Sequence, residues 1–236
     1  MLRPTKLAAI SLLSLLLHRG AVAQNIGQTV VVQPTGEYAE IEVARGNSAL
    51  KKLNSDIGGS RQAAINEILA APETFNPVVL MRVGLILFRQ GKVEDGQFWF
   101  RAGQVRALTD CLICADVSAR GAYRSLCMQS GNEINQDLIA HWDTMQDVLK
   151  RAVDWDRKTP HNYDRRWVNL HGLNATGSAF GDNVTLPLSE PKNTWDDISE
   201  KARISFMSSL KASVESRLSR KQKARQLRPS PEKPSV

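Results

Sequence analysis

Residues 76–108 constrain this chain more than any other stretch, because they read as two helices with little freedom in how they pack. Asn76 can accept a hydrogen bond from the first turn, and Pro77 suits the first helical position, where no N–H is needed. Val79, Leu80, Val83, Leu85, Ile86 and Leu87 then make nearly every side apolar through Phe88. Such a helix belongs at the centre of a core. Gly91 is placed to end it in a left-handed conformation. A second helix follows within a few residues, carrying Phe98, Trp99, Ala102, Val105 and Leu108. So short a connection predicts an antiparallel hairpin. Gly84, Gly96 and Gly103 each cost about 1 kcal/mol of helix propensity relative to alanine, a cost that close helix approach would explain.

The same residues carry a resemblance to a known family. Val83-Gly84, Leu87, Gly91 in the turn, Gly96 at a small-residue position, Trp99-Phe100 and Ala102-Gly103 resemble one degenerate unit of a Sel1-type, tetratricopeptide-like helical hairpin over 77–107. The resemblance implies a helical-repeat fold and a role in protein–protein contact rather than catalysis.

The remaining periodicity is also helical. Residues 48–53 read as a short helix before Gly58-Gly59, and Ser60 as the cap of a helix with Ala63, Ile65, Ile68 and Leu69 on one side, closed by Pro72. A helix is expected from Ser118 to Gln129. The longest amphipathic segment follows over 132–155, with Ile134, Leu138, Trp142, Met145 and Leu149 in a stripe wide enough for a core. Residues 163–170 suggest a short helix, 172–194 a long loop, and 194–218 a last helix capped by Thr194. The expectation is an all-α, compact helical-hairpin array of about six or seven helices, with a partly irregular N-terminal segment.

Arg3 and Lys6, the apolar run 7–17 and Ala21-Val22-Ala23 have the order of a cleavable export signal. The run is shorter than the roughly 20 residues that span a bilayer, so no stable membrane insertion is expected. The domain reading is a signal peptide at 1–23, a single helical domain at 24–218 and a basic disordered tail at 219–236. The location is periplasmic or secreted after cleavage. The net charge of +7 invites a nucleic-acid reading, but its distribution does not support one. Three basic residues leave with the signal, and 217–236 holds seven basic residues against one acidic, so the body between is slightly acidic. It offers no broad phosphate-binding face.

Cys111, Cys114 and Cys127 lie in a chain bound for an oxidising compartment. Cys111 and Cys114 are spaced like a redox pair, but without a strand-and-helix setting around them. The favoured reading is a disulfide from one of them to Cys127, stapling neighbouring helices. His141, His161 and His171 lack metal-ligand spacing, so neither metal nor cofactor is expected. Ser125 lacks a glycine elbow, and no glycine-rich phosphate loop appears, so no catalytic residue is assigned. The acid pairs Glu94/Asp95 and Asp154/Asp156 keep a helical peptidoglycan-active hydrolase as an alternative.

Residues 155–167 are the densest in aromatic, arginine and aspartate side chains. Such residues dominate interface energetics when buried against a partner. The candidate partner-binding set is Arg157, His161, Tyr163, Asp164, Arg165, Arg166 and Trp167, with Arg101 and Arg106 from the hairpin. The leading function is a non-enzymatic protein-binding module, an immunity or inhibitor protein that neutralises an exported toxin. An envelope-assembly scaffold is the competing interaction role.

Overall fold

A computed structural model describes residues 35–55, 57–181 and 187–226. The expected signal peptide, the first part of the expected irregular N-terminal segment and the chain after 226 lie outside these residues. The fold is all-α. Among the described residues there are nine α-helices: α1 (Ala44–Leu53), α2 (Ser60–Ala70), α3 (Pro77–Arg89), α4 (Val93–Ile113), α5 (Gly121–Ser130), α6 (Asn132–Ala140), α7 (Trp142–Lys158), α8 (Leu173–Ala179) and α9 (Trp195–Gln226). No helix among them is long and apolar enough to cross a membrane.

The α3/α4 hairpin forms the centre. Asn76 accepts from the Val79 N–H through its side chain at 3.3 Å. At the other end Gly91 has φ +81°, the Lys92 N–H donates to the Leu87 carbonyl, and the Gly91 N–H donates to the Phe88 carbonyl. This paired closure satisfies carbonyls that a helix end leaves open. The glycines mark where the helices touch. A Cβ on Gly96 would stand 2.6 Å from the Phe88 nitrogen, and one on Gly84 would stand 2.7 Å from the Gly96 carbonyl oxygen. Their propensity cost is thus the condition for packing the two backbones together.

α4 is the hub against which α3, α5, α7 and α9 pack. On one side Leu53, Ile65, Ile68, Phe75, Val79, Leu80 and Val83 join α1, α2 and α3 in one apolar cluster, with Trp99 and Trp155 at its edge. On the other, Val105 packs with Val153 and Phe206, and Leu138 with Leu149 and Val214, bringing α6, α7 and α9 together.

Several boundaries differ from expectation for local reasons. The single helix expected over 132–155 is broken at His141, where α6 ends and α7 begins. Ile134 reaches Met81 and Phe100, whereas Val153 packs with Val105 and Phe206. The break gives each half its own direction. Gly59, left-handed at φ +73°, occupies the N-cap of α2, and Ser60 makes no capping bond. Thr194 closes a short 3-10 turn by donating to the Pro191 carbonyl at 2.7 Å. The loop expected at 172–194 contains α8 and a one-residue bridge from Ser189 to Cys114. Finally, α9 continues to Gln226, so the basic segment begins as helix.

Candidate functional site

The aromatic and arginine segment after α7 folds inward. Asp110, fully buried on α4, accepts from the Tyr163 hydroxyl, the Arg165 Nε and the Trp167 Nε1, each at 2.8 Å. Burial, followed by the charge of Asp110, raises the Tyr163 pKa well above its ordinary value, which keeps the hydroxyl a donor. Asp156, buried on α7, receives the Arg203 Nε at 2.8 Å, lies 3.2 Å from the Arg106 Nε, and meets the His161 Nε2 at 3.0 Å. Arg106 also donates to the Thr159 and Pro160 carbonyls and covers the Trp155 ring. Two aspartates therefore tie α4, α7, α9 and the 159–167 connector together.

These contacts place each residue of the candidate partner set. Arg101 and Arg106 are 0% exposed and Trp167 is 3% exposed. The His161 and Arg165 side chains are each 11% exposed. Asp164 caps the 3-10 helix Arg165–His171, pairs with Arg166, and accepts from the Glu42 N–H at 3.1 Å. Arg157 faces solvent, paired with Asp154 and Glu200. The set is largely an internal network, and Arg157 and Arg166 are its more accessible members.

The disulfide expectation is corrected. Cys111, Cys114 and Cys127 are all free. The Cys114 thiol donates to the Asn169 Oδ1 at 3.3 Å, Cys111 lies in the cluster with Trp167, and the Cys127 sulfur receives the Gln104 Nε2 at 3.2 Å. Burial raises the thiol pKa to about 12 for Cys111 and about 11 for Cys114, and raises that of Cys127 too. A reactive cysteine requires the opposite shift.

A half-open cleft of about 590 Å³ runs along α9. Phe206, Leu210 and Val214 of α9 form one wall, with Ser205, Ser209 and Ser213 beside them. Met128 of α5, 70% exposed, stands opposite with Leu138 and Ile139 of α6. The floor is polar. Arg101 donates to the side-chain oxygens of Gln97, Gln104 and Asn135 and to the Ile134 carbonyl, all neutral acceptors. Burial lowers its pKa to about 10, with no carboxylate in direct contact to reverse the shift. Arg124 and Arg217 complete the charged lining, which contains no acidic residue.

A smaller cleft of about 410 Å³ lies on the other flank of α9, between it and α7. Its two arginines are already matched, Arg157 by Asp154 and Glu200, and Arg203 by Asp156 and Glu200. The larger cleft escaped the sequence reading because its walls come from four separate helices. The available signal was local: Gln97, Arg101 and Gln104 recur at helical spacing inside an otherwise buried helix. No protein-family model matches the chain, and no curated protein or solved structure matches it.

Proposed function

We propose that the protein is an exported, helical protein-binding module that takes part of its partner into the α9 cleft. The biological setting favoured by this reading is immunity or inhibition directed at an exported toxin. The cleft itself carries the proposal: about 590 Å³, open along one side, with apolar walls and a small set of convergent polar groups. Its size and mixed lining are those of a ligand-binding depression. Exposed Met128 supports it, since a flexible thioether can reshape around an apolar partner. The Sel1-type resemblance of the central hairpin agrees with a contact role.

Site-specific photocrosslinking in the native cell envelope tests this. A photoreactive residue at Ser209 or Met128, inside the cleft, should give the same discrete protein adduct. One at exposed Lys51 on α1 should not. Absence of an adduct from both cleft positions would refute the proposal. Altered peptidoglycan fragments without an adduct would favour the hydrolase alternative.

A further inference from the structure

We propose that the occupant of the α9 cleft is an amphipathic helix of a partner protein whose polar flank is acidic, its carboxylates meeting the exposed Arg124 and Arg217 above the buried Arg101 cation. This deepens the binding reading above and rests on it.

Charge is the first argument. All charged residues lining the cleft are arginines, and none of the three forms an ion pair with a described carboxylate. Elsewhere in the fold Arg106, Arg165, Arg166 and Arg203 each have an aspartate partner. Arg82 on α3 also has no ion pair with a described carboxylate, and the cleft differs in gathering three such arginines around one depression. Arg101 spends its N–H groups on neutral acceptors, with Asp137 reached only through Gln97, and so acts as a buried cation behind the floor, whereas the exposed Arg124 and Arg217 can take an incoming carboxylate in charge-assisted hydrogen bonds.

Donor polarity is the second. The side-chain oxygens of Gln104 and Asn135 are both turned onto the Arg101 guanidinium, each at 2.8 Å. Their NH₂ ends therefore face away from it, and that of Gln104 reaches the Cys127 sulfur. The floor amides are thus spent on internal partners, and Arg124 and Arg217 are the cationic donors left open to a carboxylate.

Shape selects a helix over a hydrocarbon chain. Ser205, Ser209, Ser213 and Arg217 recur every four residues on the cleft side of α9, a run of about 18 Å along the helix axis. The three serines are exposed and small, so a second helix backbone can approach there, with Phe206 and Val214 buried behind. An acyl chain laid in the same cleft would cover Arg124 and Arg217 without offering them an acceptor. An amphipathic helix offers apolar side chains to Leu210 and Ile139 and carboxylates to the arginines, the helix-in-groove mode of recognition.

The test is panning of the full chain against displayed helical peptides with a fixed leucine stripe and polar positions randomised among Glu, Lys, Gln and Ser. Glutamate should be enriched, and selected peptides should bind more weakly as salt rises. The R124E/R217E double variant, its fold checked by circular dichroism, should weaken those peptides about tenfold or more and shift selection towards lysine. Enrichment of neutral or basic faces, or undiminished binding of Glu-rich peptides to R124E/R217E, would overturn the proposal. Binding of phosphatidylglycerol vesicles that blocks the selected peptides and disappears in R124E/R217E would assign the cleft to membrane lipid and also overturn it. A crosslinked native partner combined with selection against acidic faces would leave the binding reading intact and remove only this inference. Acidic selection without a native adduct would remove the binding reading and this inference with it.

Discussion

Arg101 and Arg106 lie five residues apart on α4, and both side chains are removed from solvent, yet they sit in opposite electrostatic settings. Arg106 faces the connector side, where Asp156 balances it and is shared with Arg203. Arg101 faces the cleft side, where amide and backbone oxygens receive every bond recorded for it. The first environment is closed: its ions answer one another and join helices. The second satisfies geometry with neutral acceptors beside an opening, and the Asp137 carboxylate reaches it only through Gln97. Burial alone thus does not distinguish a structural arginine from one available to influence a ligand. The chemical identity of its acceptors does.

The strongest way to break this contrast is to remove the shared aspartate. Asp156→Asn keeps the side-chain size but leaves Arg106 without a carboxylate and Arg203 with only Glu200. Leaving buried charge uncompensated costs on the order of 3–5 kcal/mol. Urea unfolding of the full chain should show that loss as a lower midpoint. A loss below about 1 kcal/mol would mean that the connector network is no more closed than the cleft floor.

Acidification probes the same network. For His161, burial lowers the pKa more than the bond to Asp156 raises it, so the folded value lies below the ordinary 6.5. The unfolded chain then binds the proton first, and the stability present above pH 6.5 is lost as pH falls towards the folded value, by at most about 1.4 kcal/mol per pH unit. Asp156 acts in a lower window. Burial pulls its pKa up, but the His161 hydrogen bond and the charges of His161, Arg106 and Arg203 outweigh it, so the folded value lies below 3.8. Its contribution is present above 3.8 and is lost as pH falls through that lower value. Denaturation midpoints measured between pH 7 and 3 should decline through the histidine window before the carboxylate window. A flat profile down to pH 4 would contradict the histidine assignment.

Arg101→Met should cost less, about 1–3 kcal/mol, because it leaves neutral acceptors short of a donor rather than a buried ion without its partner. The cost is offset in part by removing a guanidinium whose burial is unfavourable, as its lowered pKa shows. Unfolding in urea gives the comparison with Asp156→Asn directly. Equal losses would mean that Arg101 is as structurally committed as Arg106.

These contrasts also show which parts of the fold were legible in the residues. The hairpin was readable because Asn76, Pro77 and Gly91 specify its ends and the apolar run specifies its burial, all within local sequence. The break at His141 was not, because the stripe 132–155 is continuous and only the different packing partners of Ile134 and Val153 require two directions. Residues 155–167 were correctly singled out as chemically dense, but their destination depended on Asp110, more than forty residues earlier. Arginine and aromatic side chains suit a docking face and an internal polar network equally well. The same spatial dependence concealed the cleft, whose arginines come from α4, α5 and α9.

The smallest stability effect belongs to the cleft rim. Arg124 and Arg217 are exposed and have no ion pair with a described carboxylate, so Arg124→Ala/Arg217→Ala removes charge without breaking an internal bridge. Surface changes of this kind leave stability within about 0.5 kcal/mol. Its urea midpoint should therefore coincide with that of the parent protein, while affinity for a Glu-bearing amphipathic peptide falls and becomes less dependent on salt. The pairing of the two measurements gives the prediction its force. Loss of stability would reveal that the rim arginines hold the fold, whereas unchanged stability with unchanged affinity would leave the unmatched charge without a ligand to answer it.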